Sequence, residues 1–106
     1  HITVYTDGSG CDNTFGFGYL IKTDDSNVEG IGRLRNESSV FQAEMMAINS
    51  ATNKLLEYNT EMKTILFQTD SQAALGALKT YTFMDTLTWE TKNKLNKLAR
   101  KNQVHI

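Results

Sequence analysis

Apolar residues change their spacing once along this chain, and that change decides what it can fold into. Up to Leu34 they alternate with polar residues in short runs broken by turn-forming residues; from Val40 they recur at steps of three and four. A period of two belongs to half-buried strands and a period near 3.6 to an amphipathic helix. The opening third therefore reads as strands, and the segment after it as a helix laid across them.

His1 to Thr6 alternates Ile2 and Val4 with Thr3 and Tyr5, and runs into Asp7-Gly8-Ser9-Gly10, which reads as a loop. Phe15 to Lys22 and Val28 to Leu34 are two further strands, with Asp24-Asp25-Ser26-Asn27 as the turn between them. Ser39 and Gln42 have the spacing of a capping box, which opens a helix over Val40 to Tyr58. Lys63 to Thr69 is a short apolar strand, and Ser71 to Lys79 a short helix. Asp85 opens another helix, with Leu87, Leu95 and Leu98 turned inward and Lys92, Lys94, Lys97, Arg100 and Lys101 outward. Val104-His105-Ile106 opens a fifth strand. A meander followed by right-handed crossovers predicts an α/β fold, a mixed sheet with helices packed on it.

The 106 residues suit one domain, 1–106, with one core. No stretch is apolar for long enough to span a bilayer and none resembles a signal peptide, so the expected setting is cytoplasmic or nuclear. The single cysteine, Cys11, excludes an internal disulfide. A net charge of −1 argues against binding nucleic acid by charge alone, although the basic run from Lys92 to Lys101 would suit phosphates or simply face solvent.

Glu44 is the most informative residue. Phe41, Glu44, Ile48, Ala51, Leu55 and Tyr58 form the stripe that should face the sheet, and Glu44 stands within it. An ionised carboxylate buried there needs a partner or a cation, and no Lys, Arg or His lies within a turn of it. The alternative is an acid at the margin of the stripe that reaches water.

Asp7 and Asp70 share a setting: Thr6-Asp7-Gly8-Ser9 and Thr69-Asp70-Ser71-Gln72 each follow a strand. Ligands of open α/β sheets bind at strand carboxyl ends. Taken singly, Asp7 suits a turn before glycine and Asp70 a helix N-cap. Together with Glu44, in neighbouring parallel strands, they would form a cluster of three carboxylates, which cannot stay ionised at close range without cations. Oxygen donors without Cys or His select Mg²⁺ or Mn²⁺, and two such ions suit phosphoryl transfer.

Tyr5-Thr6-Asp7-Gly8-Ser9, Gln42-Ala43-Glu44-Met45-Met46-Ala47-Ile48 and Thr69-Asp70-Ser71-Gln72-Ala73-Ala74 resemble, in order and spacing, the first three catalytic blocks of the ribonuclease H family. Val40-Phe41-Gln42-Ala43-Glu44 resembles most the ribonuclease H domains of non-LTR retrotransposons, which accompany a reverse transcriptase. The resemblance implies a five-stranded mixed sheet of order 3-2-1-4-5, its first three strands antiparallel. It implies hydrolysis of the RNA strand of an RNA/DNA hybrid with two Mg²⁺ ions, or Mn²⁺ as substitute, leaving 5′-phosphate and 3′-hydroxyl ends. Asp7, Glu44 and Asp70 would hold the metal, with Glu44 near a ribose 2′-hydroxyl, the group that distinguishes RNA from DNA. Gly8, Ser9, Gln42 and Gln72 fall where family members touch the hybrid.

Two departures from the family pattern are visible. A fourth acid in a C-terminal helix, after a loop histidine, would lie beyond Ile106, and His105 belongs to the last strand rather than to that loop. The basic protrusion of bacterial members has no counterpart between Thr80 and Thr88, which leaves substrate grip to the Lys92 to Lys101 helix or a neighbouring domain. Two rival readings remain: a non-catalytic module that binds nucleic acid or supports a reverse transcriptase, and a DNA-cutting nuclease of the same fold.

Overall fold

The computed structural model describes residues 1–11, 14–35, 38–79 and 85–106. Strands β1 (Ile2–Cys11), β2 (Thr14–Lys22) and β3 (Asn27–Leu34) form the expected antiparallel meander, followed by helix α1 (Val40–Glu57). Then come β4 (Thr64–Gln68), α2 (Gln72–Lys79), α3 (Thr86–Ala99) and β5 (Gln103–His105). The five strands lie in the order β3-β2-β1-β4-β5, with β4 parallel to β1 and β5 parallel to β4.

Local chemistry accounts for the helix boundaries. At the start of α1 the Ser39 amide donates to Gln42 Oε1 at 2.9 Å, and the Gln42 amide donates to Ser39 Oγ at 3.1 Å. At its end Asn59 takes φ of 52°, and the amides of Asn59 and Thr60 donate to the Leu56 and Leu55 carbonyls. That paired closure terminates the helix just where the apolar stripe runs out. Asp85 caps α3 by accepting from the Thr88 amide at 2.8 Å.

Even-numbered residues of β1 face α1: Val4 is fully buried, and it shares the core with Ile21, Met45, Ile48, Leu55, Ile65 and Phe67. The helices α2 and α3 contact α1 and each other, and α3 also contacts β5. Asn49 and Thr91, both buried, join α1 to α3 through a hydrogen bond of 2.8 Å from Asn49 Nδ2 to Thr91 Oγ1.

One expectation is corrected here. Asp7-Gly8-Ser9-Gly10 is not a loop but the continuation of β1, in register with β2 through Asp7↔Gly18, Ser9↔Gly16 and Cys11↔Thr14. Its glycines reflect tertiary crowding: a Cβ on Gly10 would lie 2.4 Å from the Phe15 ring. Tyr58, placed in the buried stripe by periodicity, is 57% exposed at the helix cap. Most of the Thr80 to Thr88 segment, where a basic protrusion was considered, lies outside the described residues.

Candidate active site

The parallel ladder of β1 and β4 runs from Ile2↔Ile65 to Tyr5↔Gln68 and stops there. Asp7 and Asp70 each stand two residues past that last pair, Asp7 still in β1 and Asp70 in the turn after β4. Beyond Tyr5, β1 keeps its partner on the β2 side only, so its other margin opens into a notch. Asp7 is exposed, and it lines an open cavity of about 230 Å³ over the β1–β2 pair with Tyr5, Thr6, Gly18, Tyr19 and Leu20.

Glu44 comes to the same notch from α1. A Cβ built on Gly8 would lie 2.4 Å from the Glu44 amide nitrogen and 2.7 Å from Glu44 Cγ, so strand and helix touch at that point and only glycine fits. Glu44 is half-buried against the strand. Glu44 therefore lies at the margin of the buried face of α1, in contact with the strand and with water.

Asp70 is not the cap of α2. That task belongs to Ser71, whose Oγ accepts from the Ala74 amide at 3.0 Å and whose carbonyl accepts from the Leu75 amide. The Ser71 amide in turn donates to Thr69 Oγ1 at 3.2 Å, which shapes the turn and leaves Asp70 exposed. Ser71 itself is buried and positions its neighbour, a role the sequence reading missed. The missed signal was the Ser-x-x-Ala spacing, which competes directly with Asp70 for the cap.

The four candidate substrate-contacting residues take different places. Gly8 lies at the strand–helix contact, and Gln42 is occupied in the capping box through its Oε1. Gln72 is exposed in the first turn of α2. Ser9 is exposed on the sheet face away from α1, in an open cavity of about 490 Å³ that also includes Gly16 and Arg33.

Two-residue alternation places Asp7 on the sheet face away from α1, whereas Glu44 approaches from the α1 side. Among the described residues no three His, Cys, Asp or Glu side chains are gathered tightly enough to form a ready-made metal cage. The donor set is nevertheless carboxylate oxygen alone. Mg²⁺ is usually held by one or two carboxylates together with its own waters and a substrate phosphate, so this set fits a hard cation. Thr6 Oγ1 is the one buried side-chain polar atom without a partner among the described residues, immediately before Asp7.

The basic run of α3 is not at this site. Lys101 and Asn102 pack against the start of β4, where the Met62 amide donates to the Lys101 carbonyl at 2.7 Å and the Lys63 amide to Asn102 Oδ1 at 3.0 Å. The acids lie beyond the other end of β4, roughly 20 Å away at about 3.3 Å per residue. Lys94 is engaged internally, donating to Asn49 Oδ1 at 3.0 Å, and Lys101 approaches Glu61 at 3.9 Å. The physical reason is helix direction: the cations accumulate toward the C-terminal end of α3, which leads into β5 at the amino end of the parallel strands.

The family profile described as RNase H matches residues 1–106, the whole sequence. This chain belongs to the RNase H family. Solved structures with the same fold include RNase H1 from the halophilic archaeon Halobacterium salinarum NRC-1, 19% identical with a TM-score of 0.74 over 99% of this chain and 83% of that one. LC11-RNase H1, solved in complex with an RNA/DNA hybrid, is 22% identical with a TM-score of 0.68 over 100% of this chain and 85% of that one. The N-terminal RNase H domain of rv2228c from Mycobacterium tuberculosis, solved as a fusion with maltose binding protein, is 14% identical with a TM-score of 0.64, over 98% of this chain and 78% of that one. No curated protein matches the chain. The RNase H family assignment agrees with the sheet order found here. No helix among the described residues is long and apolar enough to cross a membrane.

Proposed function

We propose that this RNase H chain is an endonuclease that hydrolyses the RNA strand of RNA/DNA hybrids, with Asp7, Glu44 and Asp70 as its metal-holding carboxylates. The observation that supports this reading is the parting of β1 and β4 beyond Tyr5↔Gln68: Asp7 and Asp70 each follow two residues later, and Glu44 touches Gly8, the residue after Asp7. Bound there, two Mg²⁺ ions, or Mn²⁺ in their place, would supply a nucleophile at neutral pH and charge stabilisation for the leaving oxygen, yielding 5′-phosphate and 3′-hydroxyl ends. The chain's own contribution is to concentrate negative charge at one sheet margin and to hold it on rigid elements. Ser71 fixes the backbone at Asp70, and the capping box of Ser39 and Gln42 fixes the first turn of α1, directly before Glu44.

The hybrid as substrate is consistent with the bound hybrid of LC11-RNase H1, a protein of the same fold. Gly8, Ser9, Gln42 and Gln72 are the proposed hybrid contacts, on the resemblance to family members alone. A place beside a reverse transcriptase in a non-LTR retrotransposon polyprotein rests on the sequence around Glu44 and Asp70 alone, and a cytoplasmic or nuclear setting on the lack of a long apolar stretch or signal-like segment in these residues.

A cleavage assay on matched RNA/DNA hybrid, duplex RNA and duplex DNA, with Mg²⁺ or Mn²⁺, tests the proposal. The expected result is cutting of the RNA strand of the hybrid only, abolished in Asp7→Asn. Cutting of duplex DNA would reassign the substrate, and equal activity of the two proteins would remove Asp7 from the chemistry.

A further inference from the structure

At the edge of the sheet, β3 contacts only β2 and α1 among the described elements. Its ladder with β2 runs unbroken from Lys22↔Asn27 to Phe15↔Leu34, so no bulge turns the outer edge away. The chain has no proline to block it. Ile31, at the middle of the strand, is 90% exposed. Long, flat edges with an exposed apolar centre are templates for another strand, and natural sheets usually blunt them.

We propose that this edge is the site of a symmetric dimer, in which β3 of one copy pairs antiparallel with β3 of a second copy about a two-fold axis through Ile31. The argument for a second copy of this chain, rather than an unrelated strand, is charge complementarity. Glu29-Gly30-Ile31-Gly32-Arg33 reads as its own complement when reversed. Centring the pair on Ile31 sets each Glu29 opposite the partner's Arg33, Ile31 against the partner's Ile31, and Gly30 against the partner's Gly32. Val28 then faces the partner's Leu34. Shifting the register by two residues sets Glu29 against the partner's Ile31 in one direction and against the partner's Arg35, beyond the end of β3, in the other, and an in-register parallel arrangement opposes like charges.

Glu29, Ile31 and Arg33 alternate onto one face, the face away from α1, and all three are exposed. Among the described residues neither Glu29 nor Arg33 has an ion-pair partner. Opposite charges directly across antiparallel strands stabilise pairing and like charges oppose it. The two five-stranded sheets would become one continuous sheet. The helices do not obstruct this: α1 lies mainly over β1 and β2, so its two copies would stand about 20 Å apart at a strand spacing of about 4.8 Å. Packed helices approach to about 8–10 Å. Two strands, β2 and β3, separate the dimer edge from β1, so each notch at Asp7 stays open. An interface one strand wide is small, which places the association in the weak class.

Sedimentation velocity on the whole chain, from low micromolar to several hundred micromolar, should show a monomer–dimer equilibrium. Glu29→Arg alone and Arg33→Glu alone should each raise the dissociation constant about tenfold or more. Mixing those two variants should restore dimers, because the heterodimer regains both ion pairs while each homodimer opposes like charges. Both positions are exposed, so the fold should survive, which circular dichroism checks. A wild type that stays monomeric throughout would overturn the proposal. So would single variants that dimerise like wild type, or a mixture that forms no heterodimer.

Discussion

Gly8 and Glu44 meet backbone to backbone, so closely that a Cβ at position 8 would lie 2.4 Å from the Glu44 amide nitrogen. The obstacle is main chain on a helix packed into the core, which cannot swing aside as a surface side chain would. Gly8→Ala must therefore lift α1 or bend β1. The expected cost is about 1–3 kcal/mol, read as a lowered urea midpoint or as a drop of about 4–8 °C in Tm per kcal/mol. Hybrid cleavage should fall further than stability accounts for, because Glu44 moves with the helix. An unchanged Tm would mean that α1 does not bear on the strand here.

Asp70 and Ser71 are neighbours with separable tasks. Asp70 is exposed and caps nothing among the described residues, so Asp70→Asn should leave stability within about 0.5 kcal/mol while cleavage of the hybrid disappears. Ser71 is buried and accepts from the Ala74 amide at 3.0 Å. Its replacement by Ala should cost about 1 kcal/mol in chemical denaturation, while the folded protein still cuts. If the two variants exchanged these phenotypes, the cap would belong to Asp70 and its proposed role as a metal ligand would fall.

This pair also shows what a sequence can and cannot disclose. Two adjacent residues with good capping chemistry look alike on the page, and the turn made by Thr69 chooses between them. Glu44 was legible because a charge interrupting an apolar stripe violates a rule that needs no partner to be seen. Element order and helix caps were legible too, since Ser39, Gln42 and Asp85 act within their own segments. Asp7-Gly8-Ser9-Gly10 misled because glycine usually signals a turn. Here Gly8 and Gly10 make room for α1 and for the Phe15 ring, contacts that exist only after folding. The location of the basic run was hidden for the same reason, because it depends on which end of the sheet α3 leads to.

Asn49 is the clearest case of a residue whose role depends on a distant partner. It is 4% exposed on α1 and donates to Thr91 Oγ1 on α3, while its own Oδ1 accepts from Lys94. The Thr91 hydroxyl in turn donates to the Leu87 carbonyl at 2.8 Å, so the chain of hydrogen bonds is complete. Asn49→Ala leaves a cavity and removes the partner of Lys94, with an expected loss of about 1–3 kcal/mol. A double-mutant cycle with Thr91→Val should show a coupling of about 0.5 kcal/mol or more, whereas independent sites would add. Strict additivity would show that the two side chains do not stabilise the α1–α3 contact together.

Metal binding can be read without any cleavage at all. On the proposed site, removing one carboxylate relieves repulsion when divalent ions are absent, so Asp7→Asn should then be at least as stable as wild type. Adding Mg²⁺ should reverse that order, because an ion that binds only the folded state stabilises it by mass action. A tenfold excess over its dissociation constant contributes about 1.4 kcal/mol, which is several degrees of Tm for a domain of this size. Asp7→Asn should show little of this gain, and Mn²⁺ should act as Mg²⁺ does. The crossing of the two stability curves with rising Mg²⁺ is the signature, since a general salt effect would move both proteins alike. Equal Mg²⁺ increments in the two proteins would place the ion away from Asp7, even if the chain still cut hybrids.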